Sequence, residues 1–265
     1  MAMTDIITSL QNSFVKKILS LRLKKNRADM GLFAAQGVRT VSAGLAGSIY
    51  RPETILFSED EMRHPDIRAL QQQAARQKVK ILVASGKVME KISGRDNPQP
   101  VIGVFQTFVS EIAPYQPAKS DFIVALDRVR DPGNLGTIMR TMDAVGAGTL
   151  FLIGEGCDPF APEVLRAAMG SFFHTRIACG SENDFIHMAK NFSGQIIGTD
   201  MQNAVDYRQI AYRMPAILMM GNEQSGLSQL LLNACTNIVK LPMRGNVESL
   251  NVSVATAVML YKICS

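Results

Sequence analysis

The chain of 265 residues has few of the side chains on which metal and redox chemistry depend. Its cysteines are scattered and include no CxxC pair, at Cys157, Cys179, Cys235 and Cys264. Its histidines are likewise isolated along the chain, at His64, His174 and His187. This spacing indicates neither a zinc site nor a disulfide framework. We expect reduced thiols and no bound metal.

Long apolar runs are also missing. No stretch approaches the roughly 18 to 20 uninterrupted apolar residues that a membrane-spanning helix needs. The first residues, MAMTDIITSLQNS, lack the charged-then-apolar order of a signal peptide. With 47% hydrophobic and 19% charged residues, the chain should nevertheless bury a proper core, and its length suffices for two domains. We expect a cytoplasmic protein with no membrane contact.

The glycine motif of Rossmann enzymes is absent as well. That motif, GxGxxG, lies between the first strand and the first helix of the fold. The glycines of VGAGTLFLIGEG precede and follow a predicted strand instead of opening a helix. A Rossmann-type site for a dinucleotide or a methyl donor is therefore disfavoured.

Positive charge is concentrated in the N-terminal part of the chain. Residues 1–110 contain 16 Lys and Arg against 9 Asp and Glu, a balance of +7, whereas residues 111–265 contain 12 against 14, a balance of −2. A solvated helix face explains some of the excess. A basic domain joined to a near-neutral one is typical of a polyanion-binding module attached to a site for something else.

The N-terminal part has the pattern of a small α/β domain. The stretch NSFVKKILSLRLKKNRAD predicts one helix with Phe14, Ile18 and Leu21 on its apolar face. The basic side of this helix carries Lys16, Lys17, Arg22, Lys24, Lys25 and Arg27. After it we predict strands at 32–36, 54–57, 80–83 and 101–107, and helices at 38–46 and 66–77.

Downstream of a proline-containing stretch at 109–120, VSEIAPYQPAKS, apolar runs alternate with helical patterns. The stretch itself indicates a linker or an edge strand running into one. The runs are typical of buried parallel strands, and we predict strands at 122–126, 149–153, 195–199, 216–220 and 238–241. Open sheets of this kind bind ligands at the carboxyl ends of their strands.

Three of those ends carry unusual loops: RDPGNLGTIMRT, MGNEQSGLS and VKLPMRGNVESLNVSVATAV. Each loop also has an interpretation without function. In the first loop, Arg140 can be an exposed residue of a packing helix that begins near Leu135. In the second loop, Glu223 can simply be solvated. In the third loop a cap by Asn246 or Ser249 explains polar groups at the start of a buried helix. Such a cap does not account for Asn251.

Taken together and in this order, the three loops closely resemble the motifs of the SpoU/TrmH group of the SPOUT superfamily, over residues 122–263. Those proteins are S-adenosylmethionine-dependent RNA ribose 2′-O-methyltransferases. The stretches SLQNSFVKKILSL and GLFAAQGVRTVSAGL resemble an L30e-like substrate-binding domain. The resemblance therefore implies an L30e-like domain at 1–108, a linker at 109–120 and a methyltransferase domain at 121–265.

The resemblance also implies an α/β fold with a parallel sheet and a deep C-terminal trefoil knot, which pattern reasoning alone would not propose. It implies a homodimer through the knotted domain, with each active site near the interface. It assigns catalytic roles to Asn134, Arg140, Glu223, Ser249 and Asn251. It assigns the S-adenosylmethionine site to main-chain groups of Gly221, Leu241 and Leu250, with Met219 and Met243 lining the pocket. RNA contacts are expected from Lys16, Lys17, Arg22, Lys24, Lys25, Arg27 and Arg39.

A guanidinium with a pKa above about 12 is a poor general base. We therefore expect Arg140 to hold an RNA phosphate or to stabilise the developing alkoxide, while the proton leaves through phosphate or water. Large-subunit rRNA is the preferred substrate, because the appended basic domain resembles that of rRNA enzymes. The alternatives are a tRNA ribose 2′-O-methyltransferase, a base-methylating knotted enzyme, and an RNA-binding or ribosome-assembly protein that has lost catalysis.

Overall fold

The computed structural model describes residues 6–94, 98–201 and 204–265. The strands are β1 Ile6–Ile7, β2 Leu32–Gln36, β3 Pro52–Ser58, β4 Lys80–Ala84, β5 Val101–Gln106, β6 Ser110–Glu111, β7 Phe122–Asp127, β8 Thr149–Ile153, β9 Arg176–Gly180, β10 Gln195–Thr199, β11 Val205–Asp206, β12 Ala216–Met220 and β13 Asn237–Lys240. The helices are α1 Ser13–Ser20, α2 Lys24–Met30, α3 Val38–Ala46, α4 Pro65–Arg76, α5 Gly86–Ser93, α6 Pro132–Val145, α7 Pro162–Ala168, α8 Glu182–Ala189, α9 Gln229–Ala234 and α10 Val252–Cys264. Two 3₁₀ helices cover Glu59–Glu61 and Met169–His174.

The chain folds into two compact units. Unit 1 contains the described residues up to Phe108 together with Phe160–His174, and unit 2 contains Val109–Pro159 and Thr175–Ser265. The division after residue 108 falls at the predicted domain boundary. Residues 160–174, by contrast, belong to unit 1, although the sequence placed them in the C-terminal domain. No helix of the described residues is long and apolar enough to cross a membrane.

Unit 1 is built on a mixed sheet with the strand order β1-β4-β3-β5-β2. Strands β1 and β3 are parallel to β4, whereas β2 and β3 are antiparallel to β5. The four strands predicted here are present within two residues of their predicted ends, and the helix predicted at 38–46 is α3. These elements were predictable because apolar runs and turn residues mark them in the sequence.

The basic segment at the start of unit 1 is two helices, not one. Helix α1 ends at Ser20, and Leu23 is extended before α2 begins. The carbonyls freed at the break are satisfied by side chains of α2, since Asn26 donates to the Ser20 oxygen and Arg27 donates to the oxygens of Leu21 and Arg22. The single-helix prediction was wrong because apolar periodicity alone does not reveal such side-chain capping.

An aromatic cluster forms part of the core of unit 1 and explains why residues 160–174 belong there. Phe172 stacks on Tyr50 with ring centroids 4.9 Å apart, and Phe173 lies 4.7 Å from Phe105. Gly44 in α3 makes room for these rings, because a Cβ at this position would lie 2.6 Å from the Phe105 ring. Aromatic pairs at these distances contribute beyond the apolar area that they bury.

Unit 2 is built on an eight-stranded sheet with the order β11-β13-β10-β12-β7-β8-β9-β6. Each of its strand pairings is parallel. Central strands β7 and β12 are buried along their whole length, as expected when helices cover both faces of a parallel sheet. The α/β class and the five predicted strands are confirmed. Edge strand β6 lies in the stretch 109–120, and the prediction missed β9 and β11.

Two helix starts differ from the sequence prediction. Helix α6 begins at Pro132 and not near Leu135, because Asp131 is its N-cap and accepts a hydrogen bond from the Asn134 backbone nitrogen at 2.6 Å. Helix α10 begins only at Val252, so Glu248 and Ser249 lie in the preceding loop. The side chain that caps each helix fixes the residue at which the helix begins. Each stretch of sequence contains several side chains that could act as the cap.

We expect Phe172→Ala to lower the free energy of unfolding by about 3–5 kcal/mol, because it removes a fully buried ring from the aromatic cluster. Urea unfolding followed by circular dichroism measures the change. The control is Phe108→Ala, which removes an exposed ring of the same unit and should cost no more than about 0.5 kcal/mol. Equal unfolding midpoints for the two variants would contradict the burial of Phe172 in the aromatic cluster.

Candidate active site

The three motif loops occupy the carboxyl-end edge of the sheet in unit 2. Strands β7 and β12 are paired in parallel, with Leu126 opposite Met220, so the loops that follow them leave the sheet side by side. The loop after β7 leads into α6, and the loop after β12 is the glycine-bracketed turn 221–226. The third loop, 241–251, connects β13 to α10, and α10 packs against α6.

Three predicted site residues, one from each loop, form a continuous hydrogen-bonded chain. The Asn134 side chain donates from Nδ2 to Glu223 Oε1 at 3.2 Å. Its Oδ1 accepts a hydrogen bond from Asn251 Nδ2 at 2.9 Å. These residues are separated by 89 and 117 positions in the chain. The amide of Asn134 is therefore the point at which the three loops meet, and we refer to Asn134, Glu223 and Asn251 as the loop junction.

Asn251 performs two tasks at once, and one of them corrects the sequence interpretation. Its Oδ1 accepts hydrogen bonds from the backbone nitrogens of Ser253 and Val254, so Asn251 itself is the N-cap of α10. The caps considered from sequence, Asn246 and Ser249, were wrong. Because the carbonyl end of the amide caps the helix, the opposite end is free to donate to Asn134.

A buried carboxylate that the sequence analysis missed connects the first two loops. Asp127 at the end of β7 is fully buried and accepts from Nε and Nη2 of Arg128 at 2.7 and 2.8 Å. Its Oδ2 also accepts from the backbone nitrogen of Ser228, at the start of α9. Hydrogen bonding to Asp127 raises the pKa of the Arg128 guanidinium. The signal available in sequence was an acidic residue that ends an otherwise apolar strand.

Asn222 is a second residue that sequence reasoning missed. Its Oδ1 accepts from the backbone nitrogens of Gln224 and Ser225, which shapes the turn, and its Nδ2 donates to the Arg128 carbonyl at 2.9 Å. An Asn that follows the glycine of a turn is a recognisable signal for this arrangement. Asn222 therefore holds the second loop against the first and fixes the backbone that carries Glu223.

Gly221 is required by close packing. A Cβ at this position would lie 2.2 Å from the backbone carbon of Gly226 and 2.3 Å from the nitrogen of Leu227. Since backbone atoms cannot move aside, any side chain here would open the turn. The same turn is closed by reciprocal backbone hydrogen bonds between Asn222 and Gly226.

The segment 241–250 has the features expected of a site that binds a ligand through its main chain. It contains no helix or strand, and no backbone–backbone hydrogen bond from it is found among the described residues. Leu241 and Met243 are half-buried and Leu250 is exposed, so apolar side chains accompany free N–H and C=O groups. This combination fits a cofactor with a heteroaromatic ring and polar edges, such as S-adenosylmethionine.

Met219 does not fit the predicted role. Its side chain is fully buried in a core cluster with Ile217 and Leu231, and Cys235 Sγ lies 3.8 Å from its sulfur. The expectation that this side chain lines an open pocket is therefore corrected, because it points to the opposite sheet face from its strand neighbours. Burial also raises the pKa of the Cys235 thiol to about 12, so this cysteine stays protonated at neutral pH.

Arg140 and Ser249 stand apart from the loop junction. Arg140 is exposed on α6, six residues after Asn134 and hence about 9 Å further along the helix axis. Ser249 is exposed in the third loop. Within the described part of the chain, neither side chain has a hydrogen-bond or ion-pair partner. The structure therefore brings together three of the five predicted catalytic residues and leaves these two available to a ligand.

The predicted RNA-binding cations of unit 1 differ in availability. Lys16, Lys24, Lys25 and Arg39 are exposed. Lys17 is half-buried and its Nζ lies 2.6 Å from Glu53, and Arg22 donates from Nη2 to the Ile92 carbonyl at 2.8 Å.

The prediction for Arg27 was wrong. This side chain is only 5% exposed, and its Nη1 donates to the carbonyls of Leu21 and Arg22 at the end of α1. A guanidinium held inside the fold in this way cannot reach a phosphate outside it. Arg27 is therefore a structural residue of the helix break. The described residues contain no group of three or more His, Cys, Asp or Glu that could hold a metal ion.

We expect Asn251→Ala to destabilise the fold by about 1 kcal/mol, because it removes both the cap of α10 and the hydrogen bond to Asn134. Asn251→Ser retains a capping oxygen and should cost only a few tenths of a kcal/mol. Urea unfolding of both variants measures the difference. If Ser proved as costly as Ala, the capping role of Asn251 would be refuted.

The chain is similar to known methyltransferases over nearly its whole length. The family model described as SpoU rRNA Methylase family matches residues 121–261, and a model described as MRM3-like substrate binding domain matches residues 12–103. A protein of Synechocystis sp. named an uncharacterized tRNA/rRNA methyltransferase is 31% identical over 97% of this chain and 92% of its own. The 23S rRNA (guanosine(2553)-2′-O)-methyltransferase of Bacillus subtilis is 28% identical over 97% of this chain and 98% of its own.

Solved structures give the same result. The AdoMet-bound rRNA methyltransferase from Sinorhizobium meliloti superposes with a TM-score of 0.89 and 38% identity, over 98% of this chain and 97% of that one. The SpoU model covers more than half of the chain and includes the three loops that form the loop junction. The resemblance read from the sequence is thus confirmed, and the chain belongs to the SpoU rRNA methylase family.

Proposed function

We propose that this chain transfers a methyl group from S-adenosylmethionine to a ribose 2′-hydroxyl of RNA, and that its substrate is large-subunit rRNA. The Bacillus subtilis relative, whose name specifies 2′-O-methylation of 23S rRNA, aligns over nearly the full length of both chains. The Sinorhizobium meliloti structure, at 38% identity, is an rRNA methyltransferase with AdoMet bound. The first relative supports the ribose 2′-hydroxyl of large-subunit rRNA as the acceptor, and the second supports S-adenosylmethionine as the donor.

The observation that carries this proposal is the loop junction. Asn134, Glu223 and Asn251 come from three distant motifs and are joined side chain to side chain at the carboxyl-end edge of the sheet. Asn134 is half-buried and Glu223 and Asn251 are exposed, so polar groups from all three loops reach solvent at one place. Polar groups that hold one another in place and are open to solvent are what orientation of a ribose requires.

The third loop is the proposed donor site. Free main-chain groups of Leu241 and Leu250, together with Gly221, bind the donor, and Met243 lines the site. When bound, S-adenosylmethionine supplies an electrophilic methyl group on a sulfonium. The chain positions the ribose against that group, because methyl transfer is fast only when the attacking oxygen is held in line. We also propose that this loop is threaded through the trefoil knot implied by the family resemblance.

Arg140 is the proposed electrostatic group. Its guanidinium is exposed and has no partner among the described residues, so all of its donors are available to an RNA phosphate or to the alkoxide that develops on the ribose. Glu223, whose Oε1 accepts from Asn134, and exposed Ser249 orient the ribose from the other loops. The proton of the 2′-hydroxyl leaves to phosphate or water.

Unit 1 is the proposed RNA-binding module. It carries the exposed cations Lys16, Lys24, Lys25 and Arg39, and the MRM3-like substrate binding model covers residues 12–103. Cationic side chains of this kind supply the salt-dependent, sequence-independent part of RNA affinity. We place the protein in the cytoplasm, where thiols that form no disulfide, such as that of Cys264, remain reduced.

The chain is proposed to act as a homodimer through unit 2. Helix α10 is apolar on nearly every side, yet Val254 is 49% and Tyr261 60% exposed, and these two positions lie on one face of the helix. Val247 and Leu250, in the loop just before the helix, add further exposed apolar surface. A second copy that covers this face would bury it and bring the interface close to the third loop.

We expect Arg140→Ala to lower kcat for rRNA methylation at least about 100-fold, while the Kd for S-adenosylmethionine stays within twofold. Tritiated methyl incorporation into large-subunit rRNA from a strain lacking this gene measures kcat, and calorimetry measures Kd. The control is Arg213→Ala, which removes an equally charged, exposed side chain of unit 2 and should leave kcat unchanged. Near-normal turnover by Arg140→Ala would refute the catalytic role.

The same assay also tests the choice of substrate. Incorporation of methyl groups by the unaltered protein into tRNA instead of rRNA would overturn that choice.

We expect Tyr261→Glu to shift the protein from dimer to monomer, because it places a charge on the exposed apolar face of α10. Light scattering coupled to size-exclusion chromatography gives the mass in solution. Tyr207→Glu is the control, since Tyr207 lies in unit 2 but outside α10. An unaltered protein that elutes at its monomer mass at micromolar concentration would rule out the proposed dimer.

A further inference from the structure

Unit 1 contains a cavity of about 990 Å³, and its lining includes residues 34 and 36–40 of the stretch that resembles an L30e-like domain. Every residue that lines it belongs to unit 1, whereas the three motif loops are all in unit 2. The volume lies at the upper end of the range of small-molecule sites, which is roughly 300–1,000 Å³. The cavity can therefore hold a group as large as a nucleotide together with part of a neighbouring one.

Positive groups converge on this cavity from two parts of the sequence. Arg39 on α3 and Arg166 on α7 both line it and are exposed. In the described part of the chain, neither guanidinium has a hydrogen-bond or ion-pair partner. A third arginine, Arg22, also lines the cavity but already donates to carbonyls at the end of α5. Two guanidinium groups are thus available to a ligand.

The first turn of α3 adds backbone donors to these arginines. Its N-cap is Gly37, which has no side chain and lies on the cavity wall with Val38. The first N–H groups of a helix have no partner within the helix and favour an anion. These donors reinforce Arg39 and Arg166 for binding a phosphate.

The cavity is not lined by positive groups alone, because side chains that accept hydrogen bonds line it as well. The carboxylates of Asp60, Glu61 and Glu163 are present, and so are the amides of Gln36 and Gln99. Three carboxylates balance three arginines, so a ligand with only negative charge would be poorly matched. A nucleotide has both parts that this lining requires: a phosphate for the arginines, and a base whose N–H groups donate to carboxylates and amides.

We propose that this cavity binds one unpaired nucleotide of the RNA substrate, with Arg39 and Arg166 on its phosphate. The inference rests on the proposed function, since it assumes that RNA is the substrate. It assigns RNA binding to Arg166, which lies outside the residues 12–103 that match the substrate-binding model. The segment 160–174, inserted between β8 and β9 of the catalytic sheet, thereby completes the RNA-binding surface of unit 1.

The test compares Arg166→Ala and Arg39→Ala with Arg68→Ala, which removes an exposed arginine of the same unit that does not line the cavity. The probe is large-subunit rRNA from a strain lacking this gene, and KM for the RNA and kcat are measured by tritiated methyl incorporation. We expect each cavity variant to raise KM at least about tenfold and to leave kcat within twofold, because a hydrogen bond to a charged group is lost. The slope of log KM against log salt should also fall by about 0.7 per arginine removed.

KM values for Arg166→Ala and Arg39→Ala within twofold of that for Arg68→Ala would overturn the inference. Thermal unfolding verifies that the exposed substitutions leave the fold intact, and Arg166→Lys should recover part of the affinity because it retains the charge. If the unaltered protein methylates no RNA, the proposed function fails by itself. Filter binding of the same rRNA to the three variants then still decides whether the cavity holds RNA.

Discussion

The parallel pairing of β7 with β12 is the constraint on which the site depends. It makes the loops after two strands that are far apart in the chain leave the sheet side by side, so that Asn134 and Glu223 can meet. Buried Asp127 then fixes the distance between these loops by accepting hydrogen bonds from Arg128 and from the backbone of Ser228. A buried carboxylate is costly unless it is fully paired, and here that requirement ties the loops together.

One part of the site is held by many contacts, and another part leaves its main chain exposed. Both properties suit the transfer of a group between two bound ligands. Asn222 and Gly221 hold the second loop through hydrogen bonds and close backbone packing. The segment 241–250 has no such backbone hydrogen bonds among the described residues, and its main-chain groups are free to contact a cofactor. In the proposed function, the hydrogen-bonded side chains orient the acceptor and the exposed main chain binds the donor.

The two units are not consecutive in the chain, because one segment of unit 1 lies between two strands of unit 2. Residues 160–174 lie between β8 and β9 of the sheet of unit 2, and they place Phe172 and Phe173 in the aromatic cluster of unit 1. Residues 160–174 supply part of the core of unit 1, and they also include Arg166. The hydrophobic burial of two rings is large enough to hold such a segment in place. Residues 160–174 are therefore part of unit 1 in the structure, although β8 and β9 on either side of them belong to the sheet of unit 2.

The sequence by itself determined the α/β class, the five predicted strands of unit 2 and the family, because apolar runs and three motif loops are local features. It did not determine the break between α1 and α2, the cap of α10 or the burial of Met219 and Arg27. Each of those depends on which of several equivalent polar or apolar side chains finds a partner far along the chain. Only the tertiary structure decided that Asn251 caps α10 while donating to Asn134, since no local pattern specifies a hydrogen bond across 117 residues.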